Sequence, residues 1–249
     1  MLSSEELERY DRQIMIRGFG EDGQEKLKQA KVIIAGSGGL GSPAAIYLVA
    51  AGVGTIRLID HDTVELSNLN RQVLHGDNDI GRNKVDSAVE KLGKLNKYVT
   101  IEPIAETINE ENISRLVAGF DLIVDAMDNL PTRYILNRAA IENNIPFFHG
   151  AVYGLEGRVM TIIPGKTACL KCVYRGLIPQ EKFPVIGVTP AIVACLQATE
   201  VVKYIVGIGK LLTSKLLVYD GLNMRFTELM VKRDPNCEHC GHLASTENE

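Results

Sequence analysis

"KVIIAGSGGLGS", residues 31–42, places a glycine-rich loop between two apolar segments. The run over 31–36 predicts a buried strand, and the segment 42–51 is typical of a helix. The loop holds four glycines, Gly36, Gly38, Gly39 and Gly41, three of which form the pattern G-x-G-x-x-G. Such a loop lets the backbone approach a phosphate at a helix N-terminus, although a tight turn and close helix–strand packing also favour glycine.

Outward from this unit, the chain keeps alternating between strand and helix patterns. Apolar runs predict strands over 31–36, 55–60, 100–106, 121–127 and 146–152. The segments between them predict helices over 42–51, 83–95, 109–119 and 130–144. This alternation predicts right-handed crossovers and a doubly wound, Rossmann-like α/β fold with a mainly parallel sheet.

The flanking segments are predicted to extend this core. "SSEELERYDRQI" and "GEDGQEKLKQA" near the N-terminus read as short helices. After residue 157 we expect antiparallel strands and a helix over 189–207, with Thr189 as N-cap, Pro190 at its first position and Gly207 as its stop. The prediction is one domain, made of N-terminal helices (1–30), a nucleotide-binding core (31–156), a C-terminal part (157–242) and a polar tail (243–249).

Composition narrows the class of protein. The 249 residues are 45% apolar with a formal net charge of −4, which is typical of a globular chain and argues against nonspecific nucleic-acid binding. The N-terminus lacks a signal-peptide core, and no run approaches the roughly 18 uncharged apolar residues of a membrane span. We therefore expect a cytoplasmic protein with neither a membrane nor a nucleic acid as its partner.

The side chains near the glycine loop favour a nucleoside triphosphate. Asp60 ends the second strand, where a carboxylate can accept hydrogen bonds from a ribose. "SNLNRQVLHGDNDIGRNK", residues 67–84, then supplies Arg71, Gln72 and Lys84. A triphosphate carries about four negative charges and needs side-chain cations and a metal, whereas a pyrophosphate needs fewer. Each residue taken alone would also fit a solvated polar loop.

Asp128 is the candidate magnesium ligand. It follows the fourth predicted strand, on the sheet edge where ligands bind in open α/β folds. Mg²⁺ usually takes one or two carboxylates together with phosphate oxygens. The alternative is that Asp128 or Asn129 caps the next helix, and Asp125 is predicted to be structural.

Four of the five cysteines form two C-x-x-C pairs, Cys169 with Cys172 and Cys237 with Cys240. Two such pairs predict a tetrahedral structural zinc site, with a redox pair or plain thiols as alternatives. His239 and His242 flank the second pair and could substitute as ligands.

The ordered set of motifs resembles the ThiF/MoeB/HesA family, the prokaryotic relatives of ubiquitin-activating E1 enzymes. The matching segments, within residues 5–242, are "RYDRQIMIRGFGEDGQEKLKQAKVIIAGSGGLGS", "LIDHDTVELSNLNRQVLH", "GRNKVDSA", "DAMDN" and the paired C-x-x-C motifs. The resemblance implies an adenylyltransferase that uses ATP to adenylate the C-terminal glycine of a small ubiquitin-like sulfur-carrier protein of the MoaD/ThiS kind. Pyrophosphate would be released, as the first step of sulfur transfer in molybdopterin or thiamine biosynthesis.

The resemblance also implies roles for individual residues. Nucleotide binding would involve the glycine loop together with Arg12, Asp60, Asp62, Asn68, Arg71, Gln72, Lys84, Asp128 and Asn129. Catalysis would fall to Asn68, Arg71, Lys84 and Asp128. Arg12 would reach the nucleotide site of a second subunit in a homodimer, although locally it reads as an exposed arginine at a helix end. No general base is expected, and His61, His75 and His149 are interpreted as structural.

One feature departs from the family. Many members carry a cysteine in the crossover loop, but here that loop reads "RGLIPQEKFPVIGV" and has none. Cys195 lies in a helix and is expected to be a small apolar side chain, so we expect adenylation without a covalent thioester of this protein. A separate sulfurtransferase would then supply the sulfur, because we expect no rhodanese-like extension after residue 249. The alternatives are adenylation of another peptide or amino-acid carboxylate, a non-catalytic scaffold that holds ATP and a carrier, and a nicotinamide-dependent oxidoreductase.

Overall fold

The computed structural model describes residues 1–174 and 183–243. Its strands are β1 (Lys31–Ala35), β2 (Thr55–Ile59), β3 (Thr100–Ile104), β4 (Leu122–Asp125), β5 (Phe147–Tyr153), β6 (Glu156–Ile162), β7 (Lys215–Asp220) and β8 (Arg225–Met230). Its helices are α1 (Ser4–Arg9), α2 (Asp11–Ile14), α3 (Gly20–Gln29), α4 (Gly41–Ala51), α5 (Lys84–Leu95), α6 (Ile113–Val117), α7 (Leu130–Glu142), α8 (Leu170–Val173) and α9 (Val188–Val206). The predicted tail lies outside the described residues, except for Leu243.

The eight strands form one sheet in the order β3-β2-β1-β4-β5-β6-β7-β8. The first five run parallel, and β6, β7 and β8 continue the sheet antiparallel. β1 pairs with β2 on one side and with β4 on the other, so Val32 lies between Ile56 and Leu122. The predicted fold class is confirmed, and the strand order reverses beside β1, which is where ligands bind in such sheets.

The side chains of β1 alternate between two apolar cores. Val32 and Ile34 pack into a layer formed by α3, α4, α5 and α9. Ile33 and Ala35 face the opposite layer, which contains α6 and α7. Because both faces are covered, the strand needs the continuous apolar run from which it was predicted, and burying each large side chain stabilises the fold by roughly 2 kcal/mol.

The N-cap of α9 lies two residues earlier than predicted. Gly187 lies at its N-cap position, so Thr189 is inside the helix and Pro190 is its third residue. The predicted Thr189 cap is wrong because its hydroxyl donates instead to the carbonyl oxygen of Gly154, at 3.0 Å. Gly207 ends the helix as predicted, with φ of +83°.

α9 is also the one helix in the described ranges that is long and apolar enough to span a membrane by composition. It packs against α4, β5 and β6. Its Glu200 is buried and accepts hydrogen bonds from the Thr161 hydroxyl and the Leu212 N–H, both at 2.6 Å. These contacts show that α9 is a core helix of the fold. A core helix can be as long and as apolar as a membrane-spanning one.

α6 is shorter than its predicted range of 109–119. The side chain of Asn109 accepts hydrogen bonds from the N–H groups of Glu111 and Asn112, both at 3.0 Å. Asn112 in turn accepts from the Asn109 N–H at 2.9 Å. These local bonds hold residues 109–112 in a turn, which delays the helix until Ile113.

A buried carboxylate stabilises the segment before α5. Asp79 accepts hydrogen bonds from the Gly76 N–H at 2.8 Å and from Arg82 at 2.9 Å, and it also contacts Lys91. Burial alone would raise the pKa of Asp79, but the bonds from Lys91 and Gly76 outweigh burial and hold that pKa well below its ordinary value. The ionised carboxylate is therefore favoured in the folded state.

Asp79→Asn should lower the free energy of unfolding by about 2 kcal/mol at neutral pH, because charge-assisted hydrogen bonds are lost. Since the folded-state pKa is depressed, this contribution is present above the unfolded pKa of about 3.9 and is lost as pH falls below it. Urea unfolding of both proteins at several pH values measures the difference. A gap that stays constant below pH 4 would contradict this explanation.

Candidate active site

The glycine loop joins β1 to α4 through two positions that only glycine fits. Gly36 has φ of +98°, and a Cβ there would lie 2.7 Å from the carbonyl oxygen of Ala126. A Cβ on Gly41 would lie 1.9 Å from the carbonyl oxygen of Gly36. The packing explanation offered by the sequence therefore accounts for both residues. Gly38 and Gly39 lie in the middle of the loop. A Cβ added to Gly38 would lie 3.4 Å from Gln72, and one added to Gly39 would lie 3.5 Å from Arg71.

Asp60 braces this loop from the end of β2. One carboxylate oxygen accepts hydrogen bonds from the N–H and the hydroxyl of Ser37, at 2.8 and 3.0 Å. The other accepts from the Asp62 N–H at 2.9 Å. Sequence reasoning missed Ser37, and its place inside the glycine motif was the one available signal. Asp60 thus lies beside the loop, where the sequence placed it.

Lys84 brings a nearly buried cation to the same edge. It is the first residue of α5, its side chain is 6% exposed, and its Nζ lies 2.7 Å from a carboxylate oxygen of Asp62. Asp62 is half exposed, and His61 approaches its other oxygen at 3.2 Å. The ammonium is therefore held by a carboxylate that solvent or an anionic ligand can reach.

Asn68 is the last residue of a short 3₁₀ helix (Leu66–Asn68), and Arg71 and Gln72 lie just beyond it. Asn68 is buried and accepts a hydrogen bond from the Glu65 N–H at 3.2 Å. Arg71 donates to the carbonyl oxygen of Ser67 at 2.9 Å. Gln72 is 4% exposed, and its Oε1 has no hydrogen-bond partner among the described residues. An unpaired buried polar atom costs about 1–3 kcal/mol, and its position beside Gly38 fits a site that a polar ligand completes.

The structure decides which of Asp128 and Asn129 caps α7. Asn129 caps α7, since its side chain accepts a hydrogen bond from the Thr132 N–H at 3.0 Å. Asp128 is exposed, with the Asn129 side-chain amide 3.4 Å from one carboxylate oxygen. It belongs to no preformed cluster of metal-type ligands in the described residues. One such carboxylate fits Mg²⁺ when phosphate oxygens supply other ligands.

The remaining polar candidates are Arg12 and the three histidines His61, His75 and His149. Arg12 is exposed on α2. His75 is buried and bonds to the Ser87 hydroxyl at 2.9 Å, and His149 is buried against Asp125. These two placements agree with the structural interpretation, whereas His61 is exposed.

The four paired cysteines form a separate buried cluster, with all Sγ atoms within 4.8 Å of one another. Cys169 Sγ lies 3.9 Å from Cys172 and 3.7 Å from Cys237, and Cys172 lies 3.5 Å from Cys240. A tetrahedral zinc with Zn–S bonds of about 2.3 Å requires S–S separations near 3.8 Å. The cluster therefore has the size and chemistry to hold zinc.

The surroundings of the cluster exclude His239 as a ligand in this arrangement. His239 Nδ1 lies 2.9 Å from the side-chain nitrogen of Asn137, whose oxygen accepts from the Leu170 N–H at 2.9 Å. Neither His239 nor His242 belongs to the ligand cluster found in the described part of the chain. Cys195 lies elsewhere, partly buried on α9, and burial raises the pKa of its thiol.

Comparison with known proteins extends these observations. The ThiF family model matches residues 10–239. The chain is 40% identical to the SAMP-activating enzyme E1 of Haloferax volcanii, over 96% of this chain and 91% of that protein. It is 41% identical to the sulfur carrier protein adenylyltransferase of Thermus thermophilus, over 96% and 92%. A solved structure of Escherichia coli MccB with MccA-N7isoASN is similar with a TM-score of 0.86 and 27% identity, over 97% of this chain and 76% of that one.

The chain has a glycine loop at the point where the strand order of a mainly parallel sheet reverses, and its sequence is about 40% identical to those of known adenylyltransferases. The protein is therefore an E1-like adenylyltransferase. Within that class, the chain belongs to the ThiF family.

Proposed function

We propose that this protein uses ATP and Mg²⁺ to adenylate the C-terminal glycine carboxylate of a small ubiquitin-like sulfur carrier ending in Gly-Gly. The observation that carries the proposal is the grouping of three polar residues around one glycine loop: Asp60 bonds to the loop, Lys84 is joined to it through Asp62, and the unpaired amide oxygen of Gln72 lies beside it. The relatives' names add the substrate class, since one acts as a sulfur carrier protein adenylyltransferase.

The chemistry needs positioned charge rather than a general base. The carrier carboxylate is already ionised at neutral pH, so one of its oxygens can attack the α-phosphorus of ATP. A new C–O–P bond forms, the bond from the α-phosphorus to its bridging oxygen breaks, and pyrophosphate leaves with that electron pair. Lys84, Arg71 and Asn68 would stabilise the negative charge on the phosphate oxygens, and Gly41 would allow close approach of the loop.

The proposal includes two metal ions bound to the protein, Mg²⁺ and zinc. Asp128 would hold Mg²⁺, which neutralises charge on the phosphates when bound. Zinc held by the four clustered cysteines would play a structural part, because four thiolates leave no open position for water. A protein with zinc-ligating thiols suits the reducing cytoplasm, where we place it.

We further propose a homodimer and an external sulfur donor. Arg12 is exposed on α2, and the apolar side chains of Met15 and Ile16 beside it are also exposed, as expected for a surface that a second copy covers. Burial raises the pKa of Cys195, which disfavours the reactive thiolate. The carrier adenylate would therefore pass to a separate sulfurtransferase without a thioester to Cys195.

A second candidate substrate is a peptide carboxylate. The observation that favours it is the likeness to MccB, whose solved structure includes MccA-N7isoASN. The fold alone does not select the acyl group, so both classes belong in one experiment.

ATP–pyrophosphate exchange with purified protein and Mg²⁺ tests the proposal. We expect exchange only when a carrier ending in Gly-Gly is added, and none with the same carrier lacking its last glycine. Exchange driven instead by a short peptide would establish the second candidate. ATP binding without exchange for any acyl substrate would contradict catalysis and favour a scaffold.

A further inference from the structure

A buried polar cluster lies behind the Asp128 turn and has no part in the chemistry described so far. Asp125 ends β4, and its neighbour in the sheet register, His149, lies on β5. Both side chains are fully buried, with His149 Nδ1 2.7 Å from one carboxylate oxygen of Asp125. Arg133 Nε approaches the same oxygen at 3.3 Å.

The hydrogen bonds of this cluster define where the imidazole carries its proton. A carboxylate oxygen accepts hydrogen bonds, so Nδ1 is the donor to Asp125. Nε2 is then the acceptor, and the Tyr174 hydroxyl, 3.1 Å away, donates to it. Burial holds the pKa of His149 below its ordinary value, so the ring stays neutral at pH 7. The imidazole thus links Asp125 to Tyr174, two residues beyond Cys172.

Asp125 in turn bonds to Met127, the residue before Asp128. Its second carboxylate oxygen accepts a hydrogen bond from the Met127 N–H at 3.1 Å. Arg133 donates to the Met127 carbonyl oxygen at 2.5 Å and to that of Gly150 at 2.8 Å. Both backbone polar groups of Met127 are therefore fixed by the cluster, immediately before the exposed carboxylate.

We propose that His149 is a positioning residue, which orients Asp125 and thereby fixes the turn that presents Asp128 to the Mg²⁺ of a bound nucleotide. This inference rests on the proposed function for the role of Asp128. A buried charged cluster is costly, and apolar residues of the same volume often stabilise a core equally well, so stability alone does not explain it. Second-shell partners of a metal ligand commonly carry such a role.

Two substitutions separate the two hydrogen bonds of the ring. His149→Asn places a side-chain nitrogen close to the position of Nδ1 and keeps the donor to Asp125, whereas His149→Gln places one close to Nε2 and loses that donor. Each variant loses one of the two bonds, and the bond to the Asp125 carboxylate costs more stability than the bond to the Tyr174 hydroxyl. Tyr174→Phe removes the other bond alone and should behave like His149→Asn. Tyr204→Phe serves as a control, because Tyr204 on α9 packs against Phe148, the neighbour of His149 in β5.

The readout is the affinity for ATP by calorimetry, with and without Mg²⁺ and without any carrier. In the starting protein Mg²⁺ should raise the affinity, and His149→Gln should reduce that gain by about tenfold. His149→Asn, Tyr174→Phe and Tyr204→Phe should retain most of the gain, and affinity without Mg²⁺ should be the same in all of them.

Equal losses of the gain in the Asn and Gln variants, or unchanged gains in both, would overturn the proposal. So would the absence of a Mg²⁺-dependent gain in the starting protein. If His149→Gln does not fold, Tyr174→Phe still decides, because a loss as large as that of Asp128→Asn would contradict the assigned route through Asp125. Failure of carrier-dependent exchange with these binding results intact would refute the proposed acyl substrate and leave the positioning role standing.

Discussion

Lys84→Met should lower the rate of carrier-dependent ATP–pyrophosphate exchange by about a thousandfold while leaving the unfolding temperature nearly unchanged. Met keeps the apolar stem that lies buried at the start of α5 and removes only the ammonium. The charge lost is the one held 2.7 Å from Asp62, at the edge of the glycine loop. Because Asp62 is half exposed, water can solvate it after the change, so little stability is lost.

The expected effect is large because of where negative charge develops. The departing pyrophosphate gains charge in the transition state, and a preorganised cation in a nearly buried position stabilises it more strongly than a solvated one. Lys94→Met, on the exposed part of the same helix, is the matched control and should leave exchange unaffected. Near-normal exchange in Lys84→Met would remove Lys84 from the catalytic set and with it the triphosphate interpretation of residues 67–84.

The fold was predictable because its determinants are local. The central strands β1 and β4 are buried on both faces, so a short apolar run such as Lys31–Ala35 identifies them. Gly36 and Gly41 were identifiable because their spacing is that of a strand–loop–helix turn. The limits of helices were less predictable where side chains compete for backbone groups, as Asn109 and Thr189 do.

The candidate site was predictable in part for the same reason. Two C-x-x-C pairs predict a chelating cluster. In the structure the Sγ atoms of Cys169 and Cys237, which are 68 residues apart in sequence, lie 3.7 Å from each other. The bond from Asp60 to Ser37 and the buried link between Asp125 and His149 join residues distant in sequence. Such contacts depend on strand register, which no local pattern specifies, so the sequence identified the chemical groups but not the network that holds them.

Cys240→Ser should lower the unfolding temperature by about 10 °C or more and abolish stoichiometric zinc. Structural zinc contributes on the order of 10 kcal/mol of binding free energy, which is comparable with the whole stability of a domain. Losing a thiolate weakens that binding, and for a chain of this size each kcal/mol lost lowers the unfolding temperature by about 3 °C. Zinc content by elemental analysis and thermal unfolding by calorimetry measure the two effects.

The cluster has a large effect on the unfolding temperature because it links parts of the chain that are distant in sequence. Cys169 and Cys172 flank the start of α8, whereas Cys237 and Cys240 lie beyond β8, and all four belong to the core layer around α7. Without the metal, four buried thiols would have to fill this space with weak S–H bonds, and the segment after β8 would lose its anchor. Cys195→Ser is the matched control, since the same atom changes outside the cluster, and it should retain zinc, stability and exchange. If Cys240→Ser kept both its zinc and its unfolding temperature, the four cysteines would not form the structural centre, and a redox role for the pairs would have to be tested instead.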